Sequence, residues 1–143
     1  MRQRARLATA LVALSLFAVA CGGSAGAAAS PTPDQGIATT LTDFKIKPAE
    51  VEAPAGEVSF DLQNDGPSDH TFFLVKTDLA EDALPVVDHV VDLGGLDIAA
   101  QAGVLPFGTH ASLTADLSAG TYVMFCNLPG HYESDMHAAF TVT

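Results

Sequence analysis

Apolar and polar residues alternate in short runs along the second half of the chain, which is the pattern of half-buried β-strands. Residues 58–63 follow it most strictly, and the other runs are rich in branched and aromatic residues that favour strands. Clusters of Asn, Gly, Pro and Ser separate the runs and predict turns. The five runs are residues 58–63, 71–77, 111–117, 121–126 and 138–143. Together they predict an all-β sandwich.

Residues 79–103 do not fit this pattern. Their apolar positions have mixed spacing, and Pro85 and the pair Gly94-Gly95 interrupt them. We expect one long irregular connection here, with room for a single short helix.

The first twenty residues resemble an export signal. Three arginines within the first six residues precede an apolar stretch at residues 7–20, which is shorter than the roughly 20 residues needed to span a bilayer. The stretch ends in small residues followed by Cys21, as in bacterial lipoprotein signals that are cleaved before a lipidated cysteine. We therefore expect a lipid anchor on Cys21 and a location on the outer face of the cytoplasmic membrane. Plain secretion, with cleavage nearby, is the alternative.

A flexible tether is expected between the anchor and the folded part. Residues 22–36 consist mostly of Gly, Ser, Ala and Pro and contain no large apolar residue. Fifteen residues of this type have a root-mean-square span of about 20 Å. The sequence thus divides into a signal at residues 1–20, a lipidated cysteine with its linker at 21–36, and one domain at 37–143.

The charge is strongly negative and unevenly distributed. The whole chain carries a net −11, yet all seventeen acids lie at Asp34 or later. Beyond residue 20 only three lysines oppose those seventeen acids, which gives −14. Such a chain repels phosphate backbones and anionic lipid surfaces, so the charge argues against nucleic-acid binding. The membrane is expected to be contacted through the lipid alone.

A group of possible metal ligands lies near the C-terminus. Cys126, His131 and Met136 follow one another at intervals of five between two predicted strands, and residues 128–130 form a Leu-Pro-Gly turn. His70 opens an earlier strand, and adjacent strand ends in a sandwich can bring it near this loop.

The donor atoms of these four side chains favour copper over other metals. Thiolate and thioether donors select copper, and two His and one Cys with a weak axial Met form the blue-copper arrangement. Zinc would take the Cys and the His residues but has little use for Met. Other readings remain open at this stage: Cys126 as a buried core thiol, or as a nucleophile paired with His131.

At these residues the chain resembles the cupredoxins, the small blue copper proteins. The matching segments are residues 64–70, 120–126 and 129–131, together with Met136. The four residues between successive ligands make the loop most similar to rusticyanin and sulfocyanin. The resemblance implies a Greek-key β-sandwich and one copper ion per domain, with the ligands His70, Cys126, His131 and Met136. Many members carry Asn directly after the first His, where this chain has Thr71.

The resemblance also implies a function, that of an electron carrier rather than an enzyme. Multicopper enzymes place a His beside the Cys, whereas Phe125 and Asn127 flank Cys126 here. A lipoprotein that holds or acquires copper is the alternative. We expect electrons to leave through His131, within an apolar ring of Leu128, Pro129 and Tyr132. The acidic domain should meet a redox partner with a basic face, such as a cytochrome or an oxidase, and should be a monomer.

Overall fold

Two β-sheets contain most of the residues that this computed structural model describes, which are residues 36–143. The strands are β1 (Ile37–Thr42), β2 (Lys45–Pro48), β3 (Glu52–Ala53), β4 (Gly56–Asn64), β5 (His70–Lys76), β6 (Val86–Val87), β7 (Val90–Val91), β8 (Asp97–Leu105), β9 (His110–Leu117), β10 (Gly120–Phe125) and β11 (His137–Val142). A single 3₁₀ turn, Tyr132–Ser134, precedes β11. The described residues contain no α-helix. No helical segment among them, the 3₁₀ turn included, is long and apolar enough to cross a membrane.

The strand order is that of a sandwich whose chain crosses repeatedly between its layers. One sheet has the order β2-β1-β4-β9, the other β3-β11-β10-β5-β8, and β6 and β7 form a separate small hairpin. Most neighbours are antiparallel, but β1 runs parallel to β4 and β3 runs parallel to β11. The predicted all-β sandwich is confirmed.

The main core lies between the two sheets. The inward positions of β4 alternate with outward ones, as its sequence predicts, and they include the fully buried Phe60. The ring of Phe60 contacts Phe72 of β5 and Phe140 of β11, with centroids 5.8 and 5.5 Å away. Each buried ring stabilises the fold by about 1.5–3 kcal/mol relative to an exposed one, so these contacts hold the two sheets together.

The long irregular connection is shorter than the sequence predicts. Residues 97–103 belong to β8, which pairs with β5 at the edge of the five-stranded sheet. Ala and Gly residues fill much of β8, and most of its side chains are exposed. Because such residues have low strand propensity and an edge strand buries little, no alternation marked this strand. The remaining connection contains the β6–β7 hairpin, and the short helix expected there is not found in the described structure.

A second, smaller core lies on the outer face of the five-stranded sheet. Val75, Val123 and Phe125 project outward from β5 and β10 and are buried by the 79–96 connection. The connection contributes Leu84 and Val91, and the 3₁₀ turn contributes Tyr132. As a result β5 and β10, the strands that lead into the predicted ligands, are buried on both faces.

Strands β1, β2 and β3 were not predicted. They are short, and only β1 shows a clear alternation of buried and exposed positions. β1 and β2 are joined by a two-residue turn at Asp43 and Phe44, where Phe44 has a φ of 58°. A bulky residue with a positive φ is uncommon, and this turn lies at the end of the sandwich that carries the predicted ligands.

Candidate metal centre

His70 is placed by a tight turn built around Asn64. The Asn64 side chain is fully buried; its Oδ1 accepts a hydrogen bond from the Gly66 N–H at 3.0 Å. Its Nδ2 donates to the carbonyl oxygens of Ser68 and Leu105, both at 2.8 Å. These bonds fix the chain just before β5 begins at His70, whose side chain is completely buried.

The other predicted ligands lie on one compact loop, residues 126–136. The loop closes on itself, since the Cys126 N–H donates to the Met136 carbonyl and the Met136 N–H donates to the His131 carbonyl, both at 3.1 Å. Gly130 adopts a φ of 78° in the turn that returns the chain to His131. This backbone network places three donor residues of the loop at the same end of the sandwich as His70.

The structure brings His70, Cys126 and His131 together. One donor atom from each lies within 4.8 Å of the others. Cys126 Sγ is 3.6 Å from His131 Nδ1, and the two imidazole rings meet edge to face with centroids 5.3 Å apart. Met136, the last residue of the loop, is fully buried. Its backbone forms hydrogen bonds with both Cys126 and His131.

Thr71 links the two ligand-bearing segments, although it stands where many cupredoxins have Asn. Its N–H donates to Cys126 Sγ at 3.3 Å, and its Oγ1 lies 3.5 Å from the same sulfur. The Asn127 N–H donates to Thr71 Oγ1 at 2.8 Å. A hydroxyl accepts one bond and donates another, so Thr71 can bind the backbone after Cys126 and the sulfur at once. The departure from the common pattern therefore keeps the link between the segments.

The donor group fits a metal ion. Both ring nitrogens of His70 are buried, and neither makes a hydrogen bond within residues 36–143. Burial lowers the pKa of His70 and the nearby His131 lowers it further, while Asp43 acts in the opposite direction. Metal ions bind the neutral imidazole. A buried, neutral, unsatisfied imidazole beside a buried thiol is unfavourable for a core but suits a soft copper ligand set.

The 79–96 connection is attached to the ligand loop. The Val91 N–H donates to Asn127 Oδ1 at 2.7 Å, and the Gly130 N–H donates to the His89 carbonyl at 2.8 Å. The Tyr132 hydroxyl accepts from the Leu84 N–H at 2.8 Å and donates to the Glu81 carbonyl at 2.9 Å. These bonds hold the loop from the side opposite the main core.

Tyr132 itself does not belong to the exposed ring predicted from the sequence. Its side chain is buried in the smaller core, and desolvation raises its pKa. The sequence suggested exposure because Tyr132 adjoins His131, but the 3₁₀ turn directs it inward, where its hydroxyl finds two backbone partners. Leu128 is half-buried against the main core, and Pro129 is exposed.

The β1–β2 turn also reaches the site, which the sequence did not indicate. The ring of Phe44 contacts His131 edge to face at a centroid distance of 5.4 Å, and Phe44 remains 44 % exposed. Lys45 forms an ion pair with Asp135, the residue before Met136. In the sequence, residues 43–45 (Asp-Phe-Lys) show only as a charged interruption between two short runs that contain apolar residues.

The remaining histidines lie outside the donor group. His89 is exposed and its Nδ1 is 2.9 Å from Glu133 Oε2, while His110 is exposed at the start of β9. His137 packs against the ring of Tyr132 at 5.1 Å, and its Nε2 lies 3.6 Å from Asp135. Cys21 and the linker expected at residues 21–36 lie outside the described residues, apart from Gly36. Cys126 is a free cysteine.

Several solved structures are similar to this chain. An auracyanin from the photosynthetic bacterium Roseiflexus castenholzii superposes with a TM-score of 0.60 at 21 % identity, covering 76 % of this chain and 96 % of that one. The azurin of Methylomonas sp. strain J gives 0.55 at 22 %, with 74 % and 95 % covered. Rusticyanin from Thiobacillus ferrooxidans gives 0.57 at 19 %, with 76 % and 79 % covered. These likenesses support the fold.

No curated protein matches the chain. The family model of the cupredoxin-like domain, in contrast, matches residues 10–142, which is nearly the whole sequence. The same end of the sandwich carries the His-Cys-His group that the sequence predicted. The chain therefore belongs to the cupredoxin-like family, and its cofactor is copper.

Proposed function

We propose that this protein is an electron carrier that cycles copper between Cu(I) and Cu(II) at one mononuclear type 1 site. His70, Cys126 and His131 would be the strong ligands and Met136 the weak axial one. The observation that carries the proposal is the convergence of a buried thiol and two imidazoles at one end of a rigid sandwich. Copper supplies the one-electron couple when it is bound.

The chain's own residues would limit how far the site rearranges when the electron moves. Thr71 fixes the sulfur of Cys126, and Asn127 is bonded both to Thr71 and to Val91. Partners of this kind orient metal ligands and tune the metal. A donor set held by the protein fold in one geometry favours rapid electron transfer, because neither oxidation state needs a new arrangement.

The electron would leave through His131, which is the less buried of the two imidazoles. Phe44 contacts its ring and is itself partly exposed, and Leu128 and Pro129 lie on the same loop. We propose that these side chains form the apolar contact for a redox partner. Weak redox encounters use small interfaces of this type.

The partner is proposed to present a basic face around its own redox centre. Beyond residue 20 the chain has three lysines and seventeen acids, and two of the lysines are on β2. A field of that size attracts a basic protein and orients the encounter. A cytochrome or an oxidase with a positive docking face fits this requirement.

We also propose that the domain is exported and tethered through a lipid on Cys21 to the outer face of the cytoplasmic membrane. The support is the basic start, the short apolar stretch and the Ala-Cys junction of the sequence. Cys21→Ser should release or misprocess the protein, as membrane fractionation would show. An unchanged membrane-bound fraction for Cys21→Ser would contradict the anchor, leaving the copper chemistry untouched.

The function is tested on the purified protein with Cu(II). We expect one copper per chain and an intense blue or green colour from thiolate-to-Cu(II) charge transfer, which Cys126→Ser abolishes. Repeated reduction and reoxidation should leave the copper in place. A protein that binds copper but loses it, or fails to cycle, would instead be a copper carrier. A colourless protein would overturn the proposed site.

A further inference from the structure

A carboxylate lies directly behind the buried ligand His70. Asp43, in the β1–β2 turn, has its Oδ1 3.4 Å from His70 Nε2, on a side chain that is one-third exposed. This is an ion-pair distance, although the angle is not that of a hydrogen bond. Since Nε2 faces Asp43, Nδ1 is the ring nitrogen left to face the other donors.

Asp43 is itself held in place. Its Oδ2 accepts a hydrogen bond from the Ser68 hydroxyl at 3.2 Å, and its Oδ1 accepts one from the Ser68 N–H at 3.3 Å. Ser68 belongs to the turn that Asn64 anchors, so the carboxylate and His70 are positioned by the same short segment.

Gly66 makes the contact possible. A Cβ at this position would lie 2.9 Å from both Asp43 Oδ1 and His70 Nε2, and also 2.9 Å from the Asp43 backbone nitrogen. Distances that short are not tolerated, so any larger residue would push the carboxylate and the imidazole apart. Glycine thus lets a charged group reach a buried ring that makes no hydrogen bond within the described chain.

We propose that Asp43 is a positioning residue for the ligand His70, and that its charge, acting through the imidazole, favours Cu(II) over Cu(I). The carboxylate orients the ring by attracting the proton on Nε2, which leaves Nδ1 for the metal. The inference deepens the proposed function, because it assumes that His70 binds copper.

The direction of the effect follows from charge. Cu(II) carries one more positive charge than Cu(I), so a nearby carboxylate stabilises Cu(II) more strongly. With the metal beyond the ring, the carboxylate lies several ångströms from it, where partial exposure weakens but does not remove the interaction. We expect removal of the charge to move the ratio of Cu(II) to Cu(I) affinity by about tenfold toward Cu(I), which corresponds to about 59 mV for a one-electron couple.

The test compares three variants with the wild-type protein. Asp43→Asn removes the charge yet keeps an oxygen that can accept from Ser68. Asp97→Asn removes one carboxylate on β8, opposite Lys76 in the strand register and so at the end of β5 away from His70. Ser68→Ala removes one bond to Asp43 and leaves the charge in place. Affinities for Cu(I) and for Cu(II) are measured separately by competition with chelators at pH 7, and thermal unfolding of the metal-free proteins is followed in parallel.

We expect Asp43→Asn to shift the ratio of Cu(II) to Cu(I) affinity about tenfold toward Cu(I). Asp97→Asn and Ser68→Ala should shift this ratio at most about twofold. Equal shifts for Asp43→Asn and Asp97→Asn would overturn it, since Asp43 would then act only as one of many surface acids. A loss of thermal stability shared by Asp43→Asn and Ser68→Ala, with an unchanged affinity ratio, would also overturn it and assign Asp43 to the turn alone. Because the ratio needs no redox cycling, wild-type protein that binds copper without cycling would refute the electron-carrier function while the ratio still decides the role of Asp43. Failure of the wild-type protein to bind either copper ion would refute both.

Discussion

Thr71 and Cys126 are 55 positions apart in the chain, yet the Thr71 N–H donates to the Cys126 sulfur at 3.3 Å. The Thr71 hydroxyl then accepts from the N–H of Asn127, the next residue in the loop. One small side chain thus joins the strand that begins at His70 to the loop that carries the other donors. Replacing it tests how far this link determines the properties of the site.

Thr71→Val keeps the shape of the side chain and removes its oxygen. The partly buried Asn127 N–H then loses its partner, which costs about 1 kcal/mol. The sulfur also loses a hydrogen-bond donor. Such a donor interacts most strongly with the more negative sulfur of the Cu(I) state, so its loss favours Cu(II) and the reduction potential should fall. Chemical denaturation and redox titration measure the two effects. Thr71→Ser is the control, since it retains the hydroxyl and should behave like the wild type; a potential unaffected by Thr71→Val would rule out a role in tuning.

Met136→Leu tests the proposed role of Met136 as the weak axial ligand. Leucine fills a similar buried volume but supplies no sulfur, and the axial ligand tunes the potential of blue-copper sites. We expect copper and colour to be retained and the potential to shift upward, as visible spectra and voltammetry would record. His131→Ala should instead lose the type 1 spectrum. If Met136→Leu lost all copper while His131→Ala kept it, the assigned roles would be wrong.

Tyr132→Phe should weaken the attachment of the connection to the ligand loop without opening the main core. The phenyl ring still fills the smaller core, but the buried Leu84 N–H is left unpaired, at a cost of about 1–3 kcal/mol. Hydrogen exchange should accelerate over residues 79–96 and leave the main sheets protected. Tyr122→Phe is a matched control, because it removes a hydroxyl bonded to Ser118. Equal exchange in both variants would show that Tyr132 does not secure the connection.

Electron transfer to a basic partner should depend on ionic strength. Salt screens charges with a Debye length of about 8 Å at physiological strength, so the second-order rate should fall as salt rises. Leu128→Ala should slow transfer at every salt concentration. The double substitution Glu133→Gln plus Asp135→Asn should mainly reduce the dependence of the rate on salt concentration. Stopped-flow oxidation measures these rates, and a rate that is flat or rises with salt would mean that the acidic surface serves solubility alone.

Much of the fold could be predicted because its central strands carry clear strand patterns. β4 alternates between buried and exposed positions, β10 is a continuous run of branched and aromatic residues buried on both faces, and the loop between β10 and β11 has donors at regular spacing. β8 could not be predicted because its alanines and glycine cover an edge and mark no buried face. β2 has only four residues, and the buried position at the middle of β1 is occupied by the polar Thr39, which hides the apolar alternation of that strand.

The convergence of His70, Cys126 and His131 could be predicted from the sequence, but the contacts that support these residues could not. Cysteine, histidine and methionine are rare enough in this chain for their spacing to be informative. Asp43 and Phe44 come close to the two histidines only because an unpredicted hairpin turns at that end of the sandwich. The inward position of Tyr132 likewise depends on partners some 50 residues earlier. Such contacts follow from tertiary packing, which local patterns do not encode.

The attachment of the 79–96 connection to residues 126–136 has a consequence for protein engineering. Asn127, Gly130 and Tyr132 each bond to backbone that only this connection supplies. The loop is therefore not a portable module. Grafted by itself into another sandwich of the same topology, it would carry its donors along but would leave three of its anchoring groups without partners, so a successful transplant should include both segments.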